Sequence, residues 1–149
     1  MKRRFSGTFI VTMFVLLAVL GGMAVAAHAQ STSSYAGSGS VNIVRGYQST
    51  SSSASVVLMT IPALGVVDVD CAGGLSRIAF YPSVSGSLWW INGGANGFVS
   101  GSSGTQLSNQ SSSDLITAQF ATATKTVTMV ISGDPGATCT YAGQATVQP

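Results

Sequence analysis

Short apolar segments alternate with clusters of Gly, Ser, Asn and Pro along residues 40–149. Within several segments the apolar residues recur at every second position, as at Val127, Met129 and Ile131. No segment keeps apolar residues at helical spacing over the length that a helix needs. This pattern is typical of β-strands separated by turns, so the sequence predicts an all-β domain.

The strands predicted from this pattern are short and numerous. They cover residues 41–45, 54–61, 65–71, 75–81, 88–91, 98–100, 115–121, 125–132 and 137–147. Asn and Gly at 92–97 predict a hairpin, because both residue types tolerate positive φ. The low-complexity segment 100–113 predicts a surface loop. Strands of this number and spacing predict an antiparallel sandwich of two packed sheets, in which a jelly-roll or an immunoglobulin-like strand order would fit.

The first 29 residues have the organisation of a secretory signal peptide. Three basic residues at 2–4 precede an apolar run over 9–27, and Ala27-His28-Ala29 fits the small-x-small cleavage site. We expect Sec-type export with cleavage after Ala29. The alternative is an uncleaved membrane anchor, because the run approaches the length of a membrane span. The predicted organisation is a signal-peptide helix (1–29), a flexible Ser/Gly-rich lead-in (30–39) and a single β-sandwich domain (40–149).

Loss of the signal peptide changes the charge of the chain. Residues 30–149 keep the three basic side chains Arg45, Arg77 and Lys125 against four Asp and no Glu, a net charge of −1. Nucleic-acid binding and attraction to anionic lipid both need a basic surface. We therefore expect no nucleic-acid partner, and membrane contact only through the signal segment before cleavage.

Cys71 and Cys139 are the only cysteines. In an exported protein an even pair predicts a disulfide, and this one would stabilise the fold by about 4 kcal/mol because it closes a long loop. The alternative is two buried free thiols. The single His28 lies in the signal peptide, so we expect no metal site and no cofactor.

Three stretches of the chain carry a resemblance to known proteins: the signal segment, the stretch 60–65 (TIPALG) leading to Val69-Asp70-Cys71, and the hairpin around Cys139. Together they resemble small, uncharacterised exported proteins of actinobacteria. The resemblance implies a secreted β-sandwich. It implies no activity, no ligand and no functional residue.

Residues 30–149 offer little catalytic chemistry. Without His, neither a Ser-His-Asp nor a Cys-His arrangement can form, and we expect Lys125 to be solvated at the start of its strand. Asp68 and Asp70 share one face of a strand, where we expect two solvated acids, with a Ca²⁺ site as the alternative. The sequence therefore predicts that the protein is not an enzyme.

Trp89 and Trp90 form the most informative pair of side chains. Neighbours on a strand point to opposite faces, so one of them is expected to face outward. An exposed Trp beside Asn92 and Asn96 would suit sugar binding, and the alternative is that Trp89 or Trp90 fills a second small cluster beneath the 100–113 loop. Tyr47, Tyr81 and Tyr141 are further aromatic candidates.

These observations predict a secreted, non-catalytic protein that binds at a surface. Its expected partner is a cell-wall or environmental polysaccharide, or another protein. One alternative is a structural exported protein that associates with itself, because few charges guard its sheet edges. An exported hydrolase is the less favoured alternative, because His and Glu are missing.

Overall fold

The computed structural model describes residues 33–36, 42–93 and 95–149, so the predicted signal peptide and most of the predicted lead-in lie outside the described residues. The described residues form eleven β-strands and no helix. The strands are β1 (Ser33–Ala36), β2 (Asn42–Thr50), β3 (Val56–Ile61), β4 (Gly65–Ala72), β5 (Leu75–Pro82), β6 (Gly86–Asn92), β7 (Ala95–Gly101), β8 (Thr105–Gln110), β9 (Asp114–Ala121), β10 (Thr126–Asp134) and β11 (Cys139–Gln148).

The strands form two antiparallel sheets, which confirms the predicted all-β sandwich. The larger sheet has seven strands in the order β1-β2-β11-β10-β9-β6-β7. The smaller sheet has four strands in the order β3-β4-β5-β8. In the part of the chain that the structure describes, no helix is long and apolar enough to cross a membrane.

The core lies between the sheets, and it is built from the residues that alternate along each strand. Every second residue of β4 and of β10 is buried, as the alternating sequence predicts. The buried side chains include Val67, Val69 and Cys71 of β4 and Val127, Met129 and Ile131 of β10. Phe80 of the smaller sheet meets Phe120 of the larger sheet edge to face, with 5.1 Å between the ring centroids. Such a pair contributes about 1 kcal/mol beyond the apolar area it buries.

Two further contacts join the sheets at one place. The predicted Cys71–Cys139 disulfide is present and links β4 to β11, with 5.6 Å between the Cα atoms. Two residues along β11, the hydroxyl of Tyr141 donates a hydrogen bond of 2.5 Å to the backbone carbonyl of Asp70. The side chain of Tyr141 is buried, so the prediction of Tyr141 as a binding aromatic is wrong.

Two predicted segments differ in the structure. The surface loop predicted over 100–113 is wrong at Thr105–Gln110, which forms edge strand β8. Its sequence is mostly polar because only Leu107 and Ser108 are buried. The register of β8 with β5 also shifts between Ile78 and Ala79, which disturbs the alternation. Within the predicted lead-in, Ser33–Ala36 pairs with β2 as β1.

Candidate binding surface

The outer face of the seven-stranded sheet carries most of the large apolar side chains that the fold leaves exposed. Six of the nine exposed large hydrophobic residues in the described chain lie there, on strands β2, β6, β7, β9 and β10. These six residues, which we call the apolar face, are Tyr47, Trp89, Ile91, Phe98, Leu115 and Val130. Large exposed apolar areas on soluble proteins mark interaction sites.

The aromatic part of the apolar face lies at the β7 end of the sheet. The register places Trp89 of β6 directly opposite Phe98 of β7. Trp89 is 42% exposed and Phe98 is 66% exposed. On its other side, Trp89 is opposite Gln119 of β9. An exposed aromatic pair is therefore bordered by a side-chain amide.

Trp90 takes the opposite direction and is part of the packing. Its side chain is half-buried against the hydrophobic core. Its partner across the strands is Gly97, and a Cβ atom at that position would lie 2.1 Å from the indole Cζ2 atom of Trp90. The indole ring therefore covers the glycine, and this close approach explains a glycine inside β7.

The two candidate asparagines, Asn92 and Asn96, also lie on opposite faces of the sheet. Asn92 is buried at 6% exposure, and its Nδ2 donates a hydrogen bond of 3.4 Å to the carbonyl of Leu107. Asn96 is exposed and pairs with Ile91 of the apolar face. Of the four predicted ligand-binding residues, the structure thus places Trp89 and Asn96 on the outer face and Trp90 and Asn92 toward the interior.

A shallow groove of about 530 Å³ crosses the centre of the same face. Leu115 and Val130 form apolar parts of its lining. At one end, Arg45 Nε donates a hydrogen bond of 2.8 Å to Gln144 Oε1. Among the described residues whose side chains alternate onto this face, charge is confined to Arg45 and to Asp134 at the end of β10. The aromatic end of the face is therefore electrically neutral.

The outer face of the four-stranded sheet has a different chemistry. Asp68, Asp70 and Arg77 line a pocket of about 280 Å³ there, with Tyr81 at its side. Arg77 Nη1 lies 3.7 Å from Asp70 Oδ1. Burial raises the pKa of the Asp68 carboxyl above its ordinary value of 3.8. The two carboxylates share a face, as predicted, and within the described residues no three His, Cys, Asp or Glu side chains group as metal ligands.

Sequence reasoning missed Phe98, which is the most exposed member of the apolar face. The predicted hairpin, with its loop over 92–97, would place Phe98 opposite Ile91, whereas the strands extend to Asn92 and Ala95 and so place Phe98 opposite Trp89. Leu115 and Val130 gave no such signal, since a single exposed aliphatic residue is ordinary. A scan against protein-family models, a search of curated proteins and a search of solved structures each found no match for this chain.

Proposed function

We propose that this chain is a secreted, non-catalytic binding protein in which the aromatic end of the apolar face, at Trp89 and Phe98, holds the sugar rings of a neutral, insoluble polysaccharide. The observation that carries the proposal is the exposed pair Trp89 and Phe98, opposite each other on β6 and β7. An aromatic pair held on a sheet is positioned before the ligand arrives, so little conformational entropy is lost on binding.

The chemistry of this site matches that of a sugar ring. A pyranose presents C–H groups on its ring faces and hydroxyl groups around its edge. Trp89 and Phe98 offer flat apolar surfaces to the C–H groups, and the amides of Gln119 and Asn96 can donate to and accept from the hydroxyls. The lack of charge at this end of the face favours a neutral ligand and predicts binding that changes little with salt.

Export and the absence of catalysis are supported by separate observations. The disulfide between Cys71 and Cys139 is consistent with an oxidising, extracellular location. The signal-like segment 1–29 adds a route out of the cell. Residues 30–149 lack both His and Glu, which supports a role in binding.

The test is retention on insoluble cellulose, chitin and peptidoglycan. The full chain is expressed with its own leader and purified, and its mass is measured to establish whether it begins at Gln30. We expect retention on at least one matrix. The double variant W89A/F98A should bind about 30-fold more weakly, which corresponds to loss of a binding hot spot of about 2 kcal/mol.

Two controls separate binding from folding. Tyr81→Ala removes an exposed aromatic from the opposite sheet and should leave retention unchanged. Leu115→Ala removes an aliphatic member of the apolar face away from the aromatic pair and should have little effect. Equal retention of W89A/F98A and the native protein, or no retention of the native protein on any matrix, would contradict the proposal.

A further inference from the structure

Strand β7 ends the seven-stranded sheet with an open edge. Within the described residues, β7 pairs with β6 alone. The backbone groups of β7 that point away from β6 therefore have no strand partner in the part of the chain that the structure describes. A row of such N–H and C=O groups is a template on which another strand can pair.

The edge of β7 lacks the features that protect the other sheet edges. At the far end of the same sheet, β1 spans four of the described residues. In the smaller sheet, β3 has a register shift between Val57 and Met59, and β8 pairs with β5 through another shift. Strand β7 has seven residues, no proline, no charged side chain and an unbroken register with β6. Short strands, bulges, charges and prolines are the usual protections against edge pairing.

The side chains along β7 would gain burial from a partner strand. Phe98 is 66% exposed, the largest value among the exposed large hydrophobic residues. Val99 is half-buried on the inner side. A strand paired with β7 would cover the side of Phe98 and of Val99 that points away from β6. The apolar area and the backbone groups along this edge thus favour the same kind of partner.

We propose that a second copy of this chain pairs with the edge of β7, strand β7 against strand β7, in an antiparallel arrangement. An antiparallel strand pair with a two-fold axis is self-complementary, so a single surface serves both copies. The uncharged sequence of β7 brings no like charges together in such a pair. This inference rests on the edge of the sheet and does not depend on the polysaccharide proposal.

The symmetry of this dimer would bring the apolar faces of the two copies together. An antiparallel pairing requires a two-fold axis perpendicular to the sheet, which keeps both outer faces on the same side. The aromatic ends of the two apolar faces would then adjoin, with Trp89 and Phe98 of both copies in one continuous surface. Two sites on one rigid surface would bind an extended polymer more tightly than one site does.

The test compares edge charges with face charges in sedimentation equilibrium over a range of concentrations, without any polysaccharide. We expect the full chain to show a concentration-dependent dimer. The variant N96K/S100K adds like charges along β7 and should raise the dimer Kd about tenfold or more. The matched control T117K/Q119K puts the same charges on β9, two strands from the edge, and should still dimerise. A native protein that is monomeric at every concentration overturns the proposal. So does a dimer that only T117K/Q119K disrupts, since that result indicates packing between faces.

A second measurement uses the native protein alone and so does not depend on how the variants fold. Amide hydrogen exchange is followed at a high and a low protein concentration. The amides of 95–101 should gain protection at the high concentration, whereas those of edge strand β8 (Thr105–Gln110) should not change. Equal protection of 95–101 at both concentrations overturns the proposal.

Discussion

The two outer faces of the sandwich differ more than the two inner faces do. Both inner faces contribute Val, Ile, Met and Phe side chains to one core. On the outside, the larger sheet presents the apolar face, and the smaller sheet presents Asp68, Asp70 and Arg77 around a polar pocket. Packing requires an apolar inner face on each sheet, whereas nothing in the fold requires an apolar outer face. The outer face of the larger sheet is therefore where a functional constraint is most visible.

Charged residues on the outer face of the smaller sheet contact one another. Arg77 and Asp70 form an ion pair at 3.7 Å, and the Arg77 side chain is 40% exposed. Because solvent reaches the Arg77 side chain and screens the charges, the pair contributes about 0–1 kcal/mol. Exposed Trp89, Phe98 and Leu115 give no benefit to solubility. The contrast favours the apolar face as the binding surface.

Removal of the disulfide should have the largest effect on the framework that holds the two faces together. The variant C71A/C139A should lower the free energy of unfolding by about 2–4 kcal/mol, because the unfolded chain gains conformational entropy when the long loop is no longer cross-linked. Denaturant unfolding measures this change. The folded variant keeps both outer faces, so its retention on polysaccharide should equal that of the native protein. A change below about 1 kcal/mol, or loss of retention in folded variant protein, would contradict this account.

Two glycines allow a sharper comparison of the sheets. A Cβ at residue 97 would lie 2.1 Å from the ring of Trp90, and a Cβ at residue 104 would lie 2.3 Å from the ring of Tyr81. Trp90 packs against the core, whereas Tyr81 is 45% exposed and can rotate away. Gly97→Ala should therefore cost about 1–3 kcal/mol, and Gly104→Ala less than about 1 kcal/mol. Unfolding midpoints of the two variants give the comparison, and equal losses would argue against a fixed Trp90 ring.

The sequence predicts well those strands that bury one face and expose the other. Alternation alone identifies β4 and β10 and the direction of Val67 or Met129. Alternation does not predict strand β8, because it lies at an edge, exposes most of its residues and has a register shift. Its sequence, TQLSNQ, has the composition of a surface loop.

The candidate site could be predicted only in part. Alternation establishes that Trp89 and Trp90 face opposite sides, but not which of them faces the core. That choice depends on the partner strand, where Gly97 leaves room for an indole ring over its backbone. Asn92 follows Trp90 onto the inner face because it lies two positions further along the strand. The pairing of distant strands, which the local pattern does not contain, decides the composition of the apolar face.

Tyr141 gives a smaller effect at the junction of the sheets. Its hydroxyl donates to the carbonyl of Asp70 on the opposite sheet. Tyr141→Phe should lower the free energy of unfolding by about 1 kcal/mol, because the partly buried carbonyl of Asp70 loses a partner while the ring still fills its place. The matched control Tyr81→Phe, at an exposed site, should change stability by less than about 0.5 kcal/mol. Indistinguishable thermal unfolding of the two variants would show that the Tyr141 hydrogen bond adds nothing net.

The smallest expected effect is the pH dependence of stability that Asp68 causes, and it tests the difference in charge between the two outer faces. Burial raises the pKa of Asp68 above 3.8, so the folded state disfavours the ionised carboxylate. Below pH 3.8 the carboxyl is protonated in both the folded and the unfolded chain, and this penalty is absent. As pH rises through the window above 3.8, the unfolded chain ionises first and the folded state loses stability relative to it.

Asp68→Asn should therefore raise the melting temperature slightly at neutral pH, and the gain should disappear as pH falls below 3.8. Asp70 and its partner Arg77 are unchanged in this variant, so their ion pair is common to both proteins. Gln119→Ala, on the outer face of the larger sheet, alters no titrating group, and its effect on the melting temperature should be the same at every pH. Thermal unfolding of the three proteins from pH 3 to 8 makes the comparison. If the gain for Asp68→Asn persists below pH 3.8, the gain comes from packing, because the Asp68 carboxyl is then protonated in both states and the ionisation penalty is already absent.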